Sequence, residues 1–186
     1  ANSVDIIDEV VIFSTNDEVH KFIDKKNKYK FIERDHDLDK IGVTIEDIIQ
    51  SFLVVSDAEI LVLIHPKCPF LKSDTISCCV EKVDSGEYDS ALVVTNVRKL
   101  AWFNGAPLNY TLDMDTPSLS SIKPIVLESS SLYVFTRKIF ENTRRRIGNN
   151  PFMKSVGHFE GFEVDKEEDY KMVELLINSG FATDES

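Results

Sequence analysis

Glu163 and Asp165 flank Val164 in the stretch FEGFEVD. On a strand that spacing sends both carboxylates to one face and the valine to the other, toward a core. Two carboxylates on one face at a strand end can share a divalent cation. Hard oxygen ligands favour magnesium or calcium, and magnesium would serve chemistry on a phosphate. Acidic pairs at strand ends also act simply as solvated or helix-capping charges. A second candidate is the turn His65-Pro66-Lys67-Cys68-Pro69, where Lys67 can meet a phosphate as a point charge and His65 reads as a packed or capping side chain. A third is Arg144-Arg145-Arg146 ahead of Gly148, either basic C-capping of a helix or an anion site. No serine sits in a Gly-x-Ser-x-Gly elbow, and the scattered single glycines supply no phosphate loop.

The elements around these residues alternate between strand and helix. Ile60–Ile64 is an unbroken apolar run, too short for a typical helix, and is expected as a central strand covered on both sides. The two prolines after it force an irregular turn at its carboxyl end, where open α/β sheets bind ligands. Ser73 or Asp74 then caps a helix from about Thr75 to Val83. Earlier in the chain, Glu9–Ser14 reads as a strand and Glu18–Lys26 as a helix with Val19, Phe22 and Ile23 on one face. Tyr29–Ile32 follows as a strand, and then a helix capped by Thr44 with Ile45, Ile48, Ile49 and Phe52 inward.

Later, Ser90–Asn96 is a strand and Leu100–Leu112 a β-hairpin turning at Asn104-Gly105, with Trp102, Phe103 and Tyr110 in need of cover. A polar loop over 113–122 leads to a strand at Leu132–Phe135 and a helix at Arg137–Thr143. Phe159–Asp165 is expected as the last strand. Lys166–Ile177 closes as a helix with Met172, Val173, Leu176 and Ile177 inward. The alternation makes the class α/β, in one domain over residues 1–186.

Composition bounds the partners. With 42% apolar residues, 12 Phe and 186 residues there is material for one core. A net charge of -11 without any basic run argues against a nucleic-acid surface. No stretch approaches the roughly 18 apolar residues of a membrane span, and ANSVDIIDEVV carries no secretory pattern, so a cytoplasmic protein is expected. Cys68, Cys78 and Cys79 lack zinc-site spacing and are expected reduced, with Cys78 or Cys79 in the core.

In order and wording these segments resemble the cytidylyltransferases that activate acylneuraminates and related sugar acids, the CMP-sialic acid synthetase-like family, over almost all of the chain. The resemblance is carried by EVVIFSTNDEV followed by Arg34, then VLIHPKCPFLKSDTI, DSALVVT, WFNGAPLNY, LESSSLYVF, RRRIGNNPF and EGFEVDKEEDY. It implies a doubly wound, mostly parallel α/β sheet of the nucleotidyltransferase (nucleotide-diphospho-sugar transferase-like) type. Residues 97–124 would form an inserted dimerisation hairpin and loop, making a homodimer through the region of Trp102.

It also implies transfer of CMP from CTP to a sugar acid with release of pyrophosphate. Mg2+ would be held by Glu163 and Asp165, and Arg34 would be a catalytic residue; Lys67, the candidate that the turn itself supplies, is expected as a second. The chain departs from the family at Lys67, where a Thr is usual, at Glu163, where an Asp is usual, and at Ser118-Leu119-Ser120, where an Arg-Thr-Gln segment is found. The family opens with a strand and an Arg-, Gly-, Ser- and Lys-rich loop for the triphosphate, and this sequence starts about one strand–helix unit later. The expectation is therefore an N-terminally incomplete cytidylyltransferase, inactive as given, with a non-catalytic dimeric scaffold as the alternative. In it the acidic pair holds magnesium only weakly until a nucleotide completes the shell.

Overall fold

The structure, a computed structural model, describes residues 4–180. It is a mixed α/β chain whose largest sheet has the strand order β3–β7–β4–β8, formed by Ile60–Ile64, Ile125–Thr136, Ser90–Val97 and Pro151–Val156. β1 (Val11–Ser14) and β2 (Lys30–Glu33) form a separate parallel pair in which Val11 faces Lys30. The residues divide into two compact units. One comprises residues up to Leu63, Lys72–Ala91 and Tyr133–Phe152; the other comprises Ile64–Leu71, Leu92–Leu132 and residues from Met153 onward.

In the first unit, α1 (Ile45–Val54) starts where the sequence places it. Thr44 Oγ1 accepts a bond from Asp47 N, and the Asp47 carboxylate accepts one from Thr44 N, a reciprocal capping box worth about 1 kcal/mol. Ile49 and Leu53 are the buried stripe of this helix, and Phe52 meets Phe13 edge-on at 5.4 Å. The helix expected over Glu18–Lys26 is only a 3₁₀ segment at Asp17–Phe22, capped by Asn16. None of its residues is buried and Phe22 is 87% exposed, so no apolar stripe holds a longer helix in place.

α2 (Ser73–Asp84) takes Ser73 and Asp74 into its first turn, and Lys72 stands at the cap without a side-chain bond. Burial of Thr75 and Ile76 draws that turn into the helix earlier than the capping residues suggest. Cys79 is fully buried and Cys78 half-buried; with Cys68 they are free thiols. α3 (Arg137–Thr143) ends on Arg144, whose φ of 52° makes it, rather than Gly148, the left-handed cap. Arg137 donates to the carbonyl oxygens of Ala58 (3.1 Å), Leu53 (3.3 Å) and Ser56, satisfying acceptors at and beyond the end of α1.

The central strand is not Ile60–Ile64. β3 stands at one end of the sheet with only Leu61 buried, whereas β7 and β4 each have a strand on either side. Their buried runs, Leu132–Phe135 and Ala91–Val94, show the two-sided cover predicted for β3. β7 also starts well before the expected Leu132.

In the second unit the expected strand at Phe159–Asp165 is replaced by a turn and an irregular segment, and the last strand lies earlier, at β8. Gly161 N donates to Gly157 O (3.1 Å) and Phe162 N to Phe159 O (3.1 Å), which closes the turn. A Cβ on Gly161 would lie 2.3 Å from Thr95 Cγ2, so the turn is pressed against β4 where only glycine fits. β5 (Trp102–Phe103) and β6 (Ala106–Pro107) make a short antiparallel hairpin turning at Asn104 (φ 50°) and Gly105 (φ 80°), as their sequence predicts. α4 (Glu167–Asn178) buries Val173, while Met172 and Ile177 are exposed and Leu176 is half-buried, a narrower inward stripe than predicted. No helix among the described residues is long and apolar enough to cross a membrane.

Candidate functional site

The turn that ends β3 is closed by a bond from Cys68 N to His65 O (3.3 Å) and joined to β7 by one from His65 N to Ser131 O (3.3 Å). Lys67 O then accepts a bond from Val164 N (2.9 Å), which lays the segment of Glu163 and Asp165 alongside the turn. Although this segment is not a strand, both carboxylates still meet at one point, as the E-x-D spacing predicts. Between them lies Lys67 Nζ, 2.7 Å from Asp165 Oδ1 and 2.8 Å from Glu163 Oε2.

Glu163 is held on its other lone pairs by the serine run of β7. Its Oε1 accepts from Ser130 N (2.7 Å) and lies 3.0 Å from Ser129 Oγ, while Oε2 accepts from Ser130 Oγ (2.7 Å). Burial by itself would raise this carboxyl, but the bonds from Lys67, Ser130 and Ser129 outweigh it and bring the pKa down to about 2. Lys67 is pushed well above the usual lysine range, first by its bond to Asp165 and then by that to Glu163. Burial, reinforced by the Glu163 charge, pushes the neighbouring Cys68 thiol up to about 11, which keeps it a neutral thiol. Asp165 is fixed from behind, since Asp169 in the first turn of α4 accepts from Asp165 N (3.1 Å) and Lys166 N (2.9 Å).

Ser129 and Ser130 were not singled out in the sequence. Their one signal is the polar triplet Ser129–Ser131 inside a strand whose next residues are apolar. Arg34 belongs to the first unit, where its Nη2 binds Asp39 Oδ1 at 2.5 Å and its buried Nε has no hydrogen-bond partner. Two of the three arginines of the run are engaged with acids of α1, and Arg145 donates to Asn149 Oδ1 (3.4 Å). Arg144 pairs with Asp47 (2.9 Å), and Arg146 pairs with Glu46 (3.3 Å) and stacks over Tyr133 at 4.3 Å. Trp102 and Phe103 stand exposed on the hairpin, with Tyr110 edge-on to Trp102 at 6.2 Å.

Among the described residues no group of three or more His, Cys, Asp and Glu side chains could hold a metal ion. The Glu163–Asp165 pair nonetheless suits magnesium in donor chemistry. Both groups offer carboxylate oxygens converging on one cationic atom, and magnesium is commonly bound by one or two carboxylates with phosphate and water completing the shell.

No family model and no curated protein matches the chain by sequence. Solved structures match it by shape. One is CMP:2-keto-3-deoxy-manno-octonic acid synthetase complexed with CTP, with a TM-score of 0.63 and 13% identity, covering 95% of this chain and 83% of that one. Another is 4-diphosphocytidyl-2C-methyl-D-erythritol synthase from Anaerococcus prevotii, with a TM-score of 0.63 and 11% identity over 92% of this chain and 82% of that one. The bifunctional IspDF of Campylobacter jejuni matches at a TM-score of 0.61 and 15% identity, over 89% of this chain and 42% of that one. This chain therefore has the nucleotide-diphospho-sugar transferase-like α/β fold, with a parallel-rich sheet; the alternation of elements gave the α/β class and the family resemblance implied the fold type.

Proposed function

We propose that the chain is a cytoplasmic cytidylyltransferase that transfers CMP from CTP to an acylneuraminate or related sugar acid. In that reaction the anomeric hydroxyl forms a new bond to the α-phosphorus of CTP, the α–β bridging bond breaks, and pyrophosphate leaves. The observation that carries the reading is the convergence of Glu163 and Asp165 on a single cation position, the one that Lys67 Nζ fills, in a chain shaped like enzymes whose names specify cytidylyl products. In this reading Glu163 and Asp165 hold Mg2+, which when bound offsets charge on the nucleotide phosphates. The serine bonds keep Glu163 ionised and oriented, Asp169 fixes the backbone at Asp165, and Lys67 and Arg34 act as catalytic cations. The exposed aromatic hairpin supports a homodimer formed around Trp102.

The test is pyrophosphate release by the full-length protein with CTP, Mg2+ and a panel of sialic and related keto-sugar acids. Asp165→Asn is expected to cut the rate about 100-fold or more while the protein stays folded. Absence of pyrophosphate release across the panel, together with equal calorimetric CTP affinity with and without Mg2+, would overturn the proposal. The occupied cation position favours the alternative of a non-catalytic dimeric homologue acting as a scaffold. For that reading, ultracentrifugation should show a dimer that Trp102→Ala disrupts, in a protein that binds no CTP.

A further inference from the structure

Lys67 lies where a divalent cation would have to lie. Its Nζ is within 2.8 Å of both carboxylates, so an ion bound to the pair cannot coexist with the ammonium in that position. The parts of the cluster differ in freedom. Glu163, 21% exposed, is pinned by Ser129 and Ser130, whereas Lys67 is 35% exposed, its side chain engaged through Nζ with the two carboxylates and its backbone through the bond from Val164 N to Lys67 O. Its four-carbon stem can therefore swing out with no change of backbone. Asp165, 60% exposed, leaves an open side through which an ion can enter. We propose that Lys67 is a tethered counter-ion that keeps the Glu163–Asp165 pair closed to divalent cations until a polyphosphate draws its ammonium away. The proposal rests on reading that pair as a metal site, and it makes metal and polyphosphate bind with positive coupling through one side chain.

The experiment is Mn2+ binding without nucleotide, read from the free-ion electron paramagnetic resonance signal, on the unaltered protein and on Lys67→Met and Lys67→Arg, each checked for fold by circular dichroism. Removing a cation that stands a few ångströms from a bound divalent ion should tighten Mn2+ binding on the order of tenfold or more in Lys67→Met. Lys67→Arg, which keeps the charge, should stay as weak as the parent. Inorganic pyrophosphate should tighten Mn2+ binding by the parent and much less by Lys67→Met.

If parent and Lys67→Met bind Mn2+ equally and Asp165→Asn abolishes binding in both, the pair is a metal site that Lys67 does not guard, and the inference falls alone. If none of the proteins binds Mn2+ even with pyrophosphate, the metal-site reading falls with it. A measurement on the unaltered protein stands independently of any variant's folding: the ¹⁵N-edited signal of the Lys67 ammonium should shift on addition of Mg2+ and pyrophosphate together. An unchanged ammonium signal at saturation would overturn the inference.

Discussion

Asp89 and Glu163 are both carboxylates held below their usual range, and what holds them differs. Burial would raise Asp89, but it accepts from Asn150 N (2.9 Å), Ser90 Oγ (2.9 Å) and Asn149 N (2.7 Å), which bring it down. Gly148 approaches so closely that a Cβ there would lie 2.4 to 2.5 Å from the carboxyl atoms. Every donor on Asp89 comes from backbone or from an adjacent side chain, so the carboxylate is a fixed joint between the loop before β8 and the start of β4. Glu163 has the same kind of anchoring from β7, but one of its donors is the end of a long, partly solvated side chain. A carboxylate held by backbone donors and a short adjacent side chain holds structure, whereas one whose last partner is a tethered cation can exchange that partner.

Substitutions can sharpen the contrast. The largest stability effect is expected at the fixed joint. Gly148→Ala forces a methyl into the Asp89 carboxylate and should cost about 2 to 3 kcal/mol in denaturant unfolding, as overpacking typically does. A cost near zero would mean that Asp89 moves freely and is no joint.

The next effect is pH-dependent and belongs to Glu163. Its folded pKa of about 2 lies below the ordinary 4.5, so its contribution to stability is present above the ordinary value and is lost as pH falls through the mid-4s toward 2. The loss over that window should be about 2 kcal/mol, allowing for partial screening by solvent, and Glu163→Gln should flatten it. Equal acid slopes for parent and Glu163→Gln, read from unfolding curves at several pH values, would show that the serine and lysine bonds do not stabilise the charged form. The smallest effect should come from the exposed pair of Arg144 with Asp47. Arg144→Gly loses that pair but relieves a left-handed backbone, so the midpoint of denaturant unfolding should hardly move.

Much of the local structure was legible in the residues because its causes are local. Thr44 and Asp47 cap α1 through atoms three residues apart, Asn104-Gly105 turns the hairpin by its backbone preference, and α3 spans its expected residues. The E-x-D spacing likewise keeps its two carboxylates together even though no strand forms there. What spacing could not tell was which neighbours each segment meets. A run of branched apolar residues has the same composition at the end of a sheet as in its middle, so β3, expected in the middle, stands at one end, and β7 lies between β3 and β4. The stripe on α4 is narrower than its periodicity, because burial is set by what packs against a helix and not by the helix alone. Lys67 and Glu163 lie 96 positions apart in the chain, and Ser130 joins them only because β7 runs beside the turn after β3. The residue types that can hold a cation are therefore a property of the sequence. That the cation between them is the chain's own lysine is decided by tertiary structure, because only folding brings the turn, the serine strand and the acidic segment within hydrogen-bond reach.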